Sequence, residues 1–90
     1  MIDITDPVYF YNKNGTDEIL YKLTTILYTD NDICLCVAKP MFDEDGENQN
    51  IFYKDLKIVF YIEDGFVDNQ TNHSLRATNE LDVARSYLFH

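Results

Sequence analysis

The stretch Ile33-Cys34-Leu35-Cys36-Val37-Ala38-Lys39 decides how this chain folds. It is short and almost continuously apolar, with Asp30-Asn31-Asp32 before it and Pro40 after it. An apolar run of this length between turn signals reads as a central strand, and its lack of alternation predicts burial on both faces. Its natural neighbour is Leu56–Glu63, where Leu56, Ile58, Phe60 and Ile62 alternate with Lys57, Val59, Tyr61 and Glu63. That period of two predicts a strand with one core face.

Working outward, Pro7–Lys13 reads as a first strand, with Val8 and Phe10 on one face and Tyr9 and Tyr11 on the other. Asn14-Gly15 follows it, the pair that suits a type I′ hairpin turn. Such a turn would set Phe10 opposite Ile19 and Val8 opposite Tyr21. Asp17–Tyr28 carries two periods at once. Ile19, Leu20, Leu23, Ile26 and Leu27 fall at helical spacing, while Ile19, Tyr21, Leu23, Thr25 and Leu27 share one face of a strand. The strand is the preferred reading, because Asn-Gly precedes it and two β-branched threonines lie inside it. A helix there would make the order β-α-β-β-α.

Pro40–Asn50 reads as a polar loop, Ile51-Phe52-Tyr53 as a short extra strand, and Phe66–Thr78 as loop with one short pairing around Leu75. The chain then predicts a helix over Glu80–Phe89. Asn79 or Thr78 would cap it, Glu80 and Asp82 suit its positive end, and Arg85 suits its negative end. Leu81, Ala84 and Leu88 form its apolar face. The expected fold is α+β: one domain over residues 1–90, with a mainly antiparallel sheet of about four strands and a C-terminal helix packed on one face.

Ninety residues with 46% hydrophobic content suit one small domain with a true core. Sixteen acids against seven bases leave a net charge of −9, which argues against direct binding to nucleic acid or an anionic membrane. It favours a basic or nucleic-acid-binding protein as partner. The sequence has no apolar run long enough to span a bilayer and no secretory leader, so a cytoplasmic location is expected, that of a host cell if the protein is viral. Two cysteines separated by one residue fit that reducing compartment.

The order Asn12-Lys13-Asn14-Gly15-Thr16-Asp17-Glu18, then Leu23–Tyr28, a polar turn, Ile33–Pro40, an acidic loop, and a strand ending Glu63-Asp64-Gly65 before an acid-started helix resembles the YrzB-like family. These are small acidic bacterial proteins of unknown function. The resemblance implies a small acidic α+β domain and brings no activity or site with it.

Signatures of chemistry are weak. With Gly46 at the sixth position of an EF-hand loop, Asp43-Glu44-Asp45-Gly46-Glu47 has Met41 at the first position and Phe52 at the twelfth, so both key ligands are missing. Cys34 and Cys36 supply at most half of a zinc site and read better as small buried hydrophobes. His73 with Ser74 or Ser86 lacks any nucleophile-elbow pattern. Three Asn-X-Ser/Thr matches, at Asn14, Asn69 and Asn72, carry no weight without a leader. No catalytic residue, metal or cofactor is expected.

Binding is the remaining expectation. Asp30, Asp32, Asp43, Glu44, Asp45, Glu47, Glu63 and Asp64 form acidic clusters, with others at Asp68, Glu80 and Asp82. Alternate carboxylates on strands lie roughly 6.6–7 Å apart, close to the phosphate spacing of a nucleic-acid strand. The expected function is a non-catalytic, phage-type inhibitor that shows such a surface to a nucleic-acid-binding enzyme. Two alternatives stand beside it. Tyr9 and Tyr11 on an exposed edge strand could bind a partner or build a homodimer, as in a virion or assembly component. A housekeeping acidic protein without inhibitory action is the other.

Overall fold

The computed structural model describes residues 1–41, 53–68 and 74–89. Five antiparallel strands, β1 (Tyr9–Asn12), β2 (Leu20–Thr29), β3 (Ile33–Met41), β4 (Leu56–Tyr61) and β5 (Leu75–Thr78), form one sheet in the order β4-β3-β2-β1-β5. The first four strands meander, and β5 returns beside β1. The sheet curls into a half-barrel, and Phe66-Val67 spans the gap between its ends. Val67 bridges to Phe60 on β4, and Phe66 bridges to Arg76 on β5.

This corrects the expected α+β class. The protein is mostly β, and the one helix among the described residues, α1 (Leu81–Ser86), has six residues. The predicted helix over Glu80–Phe89 is cut short because Tyr87 turns out of it and the Phe89 N–H donates to the carbonyl of Asp17 at 2.8 Å. Neither predicted cap acts from its own position. Glu80 is the N-cap and makes no side-chain cap bond, while the Thr78 hydroxyl accepts from the Glu80 N–H.

The core lies inside the curl. Alternation sends Phe10 from β1, Cys34, Cys36 and Ala38 from β3, Ile58 and Phe60 from β4, and Leu75 and Ala77 from β5 inward, with Val8, Ile62 and Val67 completing the cluster. Ile2 and Ile4 pack against it from the N-terminal segment, which is held by the Ile2 N–H to the Ile62 carbonyl at 2.6 Å. The chosen strand reading of Asp17–Tyr28 matches β2. The expectation that Ile33–Lys39 is buried on both faces does not hold, since Ile33, Leu35 and Val37 stay half-buried on the outside.

The hairpin expected at Asn14-Gly15 is replaced by a longer connection. Gly15 alone has positive φ, 66°, whereas a type I′ turn needs it at two positions. The Asn12 carbonyl accepts from the Gly15 N–H, and the buried Asn12 side chain accepts from the Asn14 N–H and donates to Thr16 Oγ1. The register is therefore Phe10 opposite Tyr21, two residues from the expected pairing with Ile19.

Candidate binding interface

Where the charges sit follows from what each residue type does to a strand. Among the charged residues on β1–β5, Lys22, Lys39, Lys57 and Arg76 are basic, and none is acidic. Short carboxylate side chains favour turns, where they accept from nearby backbone N–H groups. Here they do so repeatedly. Asp30 Oδ1 accepts from the N–H groups of Asp32 and Ile33 at 2.8 and 2.9 Å, Asp64 Oδ1 from that of Phe66 at 2.9 Å, and Asp3 Oδ1 from that of Thr5 at 2.9 Å. The bonds from Ile33 and Asp32 hold the Asp30 carboxyl below the usual carboxylate range, and those from the Thr5 hydroxyl and N–H do the same for Asp3.

Four of the predicted acidic residues come together. The Ile62 N–H donates to the Asp32 carbonyl at 2.9 Å, tying the β2–β3 turn to the end of β4. Exposed Asp30, Asp32, Glu63 and Asp64 thereby share one end of the sheet. Asp43, Glu44, Asp45 and Glu47 lie outside the described residues, as do Ile51, Phe52, Asn69, Asn72, His73 and His90.

Tyr9 and Tyr11 do not form the exposed edge that their alternation suggested. β1 is an interior strand between β2 and β5, so it has no free edge. α1 covers its outer face. Tyr9 is 9% exposed in a second cluster with Leu20 and Ala84, and Tyr11 stacks on Tyr87 with ring centroids 4.7 Å apart. The helix was foreseen, but its position over β1 and β5 was not.

That position leaves the other half of the outer face without a helix over it among the described residues. α1 contacts β1 and β5, while on β3 and β4 the outward residues Ile33, Leu35, Val37 and Val59 are half-buried and Tyr61 is exposed. Ile33 faces Tyr61, and Leu35 lies between Tyr28 and Val59, which makes two cross-strand apolar rows. Phe66 extends the first row, its ring centroid 6.2 Å from that of Tyr61 and 4.5 Å from the Arg76 guanidinium. The aliphatic residues of β3 were missed, because an unbroken apolar run reads as core. The signal that could have found them is the single short helix, too small to cover a sheet.

Chemistry is sparse by comparison. Cys34 and Cys36 are fully buried free thiols, and burial raises both above the usual thiol range, Cys36 to about 12. Among the described residues no group of three or more His, Cys, Asp or Glu side chains could hold a metal. No described helix is long and apolar enough to cross a membrane. No family model, curated protein or solved structure matches this chain, and the likeness to the YrzB-like family remains one of residue pattern.

Proposed function

We propose that this protein is a non-catalytic binding module that presents the outer face of β3 and β4 to a protein partner. The observation that carries the reading is the pair of rows Ile33–Tyr61–Phe66 and Tyr28–Leu35–Val59, which α1 leaves uncovered. Contiguous apolar surface of this kind, rimmed by charge, marks interaction sites on small domains. Two of its members, Tyr28 and Tyr61, are of a residue type enriched among interface hot spots. Lys39 and Lys57 on the same face would favour a partner with acidic groups at its rim.

A second reading keeps the acidic inhibitor. It draws on the shared end of the sheet where Asp30, Asp32, Glu63 and Asp64 gather. Such a cluster suits a basic, nucleic-acid-binding enzyme. The turn bonds temper it, since Asp30 and Asp64 each have a structural task that explains their presence.

Tagged protein and two variants, tested for partner capture at low and high salt, separate the readings. Tyr61→Ser with Phe66→Ser removes the aromatic anchors. Asp30→Asn, Asp32→Asn, Glu63→Gln and Asp64→Asn together remove charge yet keep the side-chain oxygens that close the turns. A partner that survives high salt and is lost only with the aromatic pair supports the apolar face. One that is lost at high salt and with the neutralised acids overturns it in favour of the acidic end.

A further inference from the structure

Among the described residues, Asn14-Gly15 and Asp64-Gly65 are the pairs that can react with their own backbone. In each, the glycine nitrogen can attack the side-chain carbonyl carbon of the residue before it, since glycine has no side chain to hinder the approach. At an asparagine the new C–N bond closes a cyclic imide, and the side-chain nitrogen leaves as ammonia with the proton from the glycine N–H. Water then opens the imide at either carbonyl, giving aspartate or isoaspartate. At an aspartate the same attack expels water and needs the carboxyl protonated, so it is the slower reaction near neutral pH. The other described asparagines, Asn12, Asn31 and Asn79, precede Lys13, Asp32 and Glu80, whose side chains crowd the attack.

The fold treats the two glycine pairs differently. Gly65 is buried, its N–H donates to the Tyr61 carbonyl, and its carbonyl accepts from the Ala77 N–H, both at 2.8 Å. Asp64 Oδ1 accepts from the Phe66 N–H. Both reacting groups are thus locked in place. Asn14 is exposed and Gly15 only half-buried, in the connection between β1 and β2. The Gly15 N–H donates to the Asn12 carbonyl at 2.9 Å, and the Asn14 amide is held by an exposed bond from Nδ2 to Ser74 Oγ at 2.6 Å. Bonds open to solvent break locally without unfolding the core.

We infer that Asn14 is a site of spontaneous covalent modification, converted to aspartate and isoaspartate in the folded protein, with Ser74 Oγ as the clasp that slows it. Isoaspartate inserts a methylene into the main chain between two bonds that shape this connection, from the Asn14 N–H to Asn12 Oδ1 and from the Gly15 N–H to the Asn12 carbonyl. Modified molecules therefore hold the end of β1 more loosely. The inference stands apart from the partner reading above, because it needs no other protein.

Peptide mapping by mass spectrometry, after prolonged incubation of the full chain at mildly alkaline pH, tests it. The urea-unfolded chain is incubated beside it, and enzymatic methylation of isoaspartyl carboxylates gives a second readout. The expected result is conversion at Asn14 in the folded chain, slower than in the unfolded one, with Asp64 intact. Ser74→Ala keeps the backbone bond from the Lys13 N–H to the carbonyl at position 74, so it should retain the fold by circular dichroism. It should speed conversion at Asn14 roughly two- to tenfold, the range that the net strength of a typical hydrogen bond spans. Molecules carrying isoaspartate, separated by ion exchange, should melt below the parent. An Asn14 that stays intact in the folded chain while the unfolded chain converts overturns the inference. So does modification of Asp64 before Asn14, or a rate at Asn14 indifferent to Ser74→Ala.

Discussion

The ring of Phe10 meets the ring of Phe60 edge-on, with centroids 5.5 Å apart and planes inclined at 68°. One comes from β1 and the other from β4, strands separated in the sheet by β2 and β3, so the contact crosses the inside of the curl. Both side chains are fully buried. Phe60→Ala should cost about 3–5 kcal/mol, since truncation leaves a cavity that a curled sheet cannot easily collapse. Urea unfolding measures it. Phe60→Leu should cost distinctly less, and equal losses for the two variants would show that ring volume is not what the site needs.

Gly65 has φ of +73°, and a Cβ there would lie 2.5 Å from the backbone oxygen of Ala77. The backbone explains this closeness, because the Ala77 N–H donates to the Gly65 carbonyl at 2.8 Å. Gly65→Ala should destabilise by more than about 1 kcal/mol, since left-handed strain adds to a clash with main chain that cannot rotate away. Gly15→Ala meets only the Tyr87 oxygen at 3.4 Å and should be the milder change. Thermal melts of the two variants side by side check the order.

Asn79 accepts from the Asp3 N–H at 2.8 Å and donates to the carbonyls of Asp3 and Pro7 at 2.8 and 2.9 Å. It thus fastens the N-terminal segment to the end of β5. Asn79→Ala should cost about 1–2 kcal/mol, because water can replace some of these bonds at a partly exposed site. Amide exchange at Ile2 should accelerate along with it. A slower exchange at Ile2 than in the parent protein would contradict this role.

The buried thiols give stability an alkaline limit. Cys36 is held protonated to about 12 in the folded chain against an ordinary value of 9.0, chiefly by burial. Its folded value is the higher one, so its contribution is whole below about 9 and is lost as pH climbs toward about 12. Cys36→Ala should flatten that alkaline decline. In the other direction, Asp30 and Asp3 have lowered values, so their contributions are present at neutral pH and fade as pH falls through the folded values. Unfolding midpoints across the pH range, read for the parent and for Cys36→Ala, show the first effect directly. A thiol reagent should label Cys36 only at the rate of unfolding.

The sheet was legible where alternation was clean. Ile58, Phe60 and Ile62 on one side and Lys57, Val59 and Tyr61 on the other are what the period of two in Leu56–Glu63 predicts. β5 was harder to see, since Leu75-Arg76-Ala77-Thr78 is too short to carry a pattern and earns its place only by pairing with β1 from far along the chain. The class was misjudged for a related reason. The apolar positions Leu81, Ala84 and Leu88 are real contacts, but helical periodicity does not report where the chain must leave the helix to reach Asp17. On the surface, acids counted by sequence looked like a face, whereas the strands hold only bases and the carboxylates close turns. Tyr9 and Tyr11 show the same limit from the other side. Alternation identified their face, and only the docking of α1 decided that it is covered.

The pairing of β1 with β5 has a consequence for how the protein is born. Tyr9–Asn12 leaves the ribosome early, yet one side of it has no ladder until Leu75–Thr78 has followed. The Asp3–Asn79 bonds wait for the same moment. Contacts that join such distant parts of a chain form late and slowly. The β2–β3–β4 meander can assemble during synthesis, with the future place of β5 open, and the half-barrel locks only after its last strand is free. Until then one side of β1 keeps its backbone donors and acceptors unpaired, the kind of edge that invites pairing with another chain.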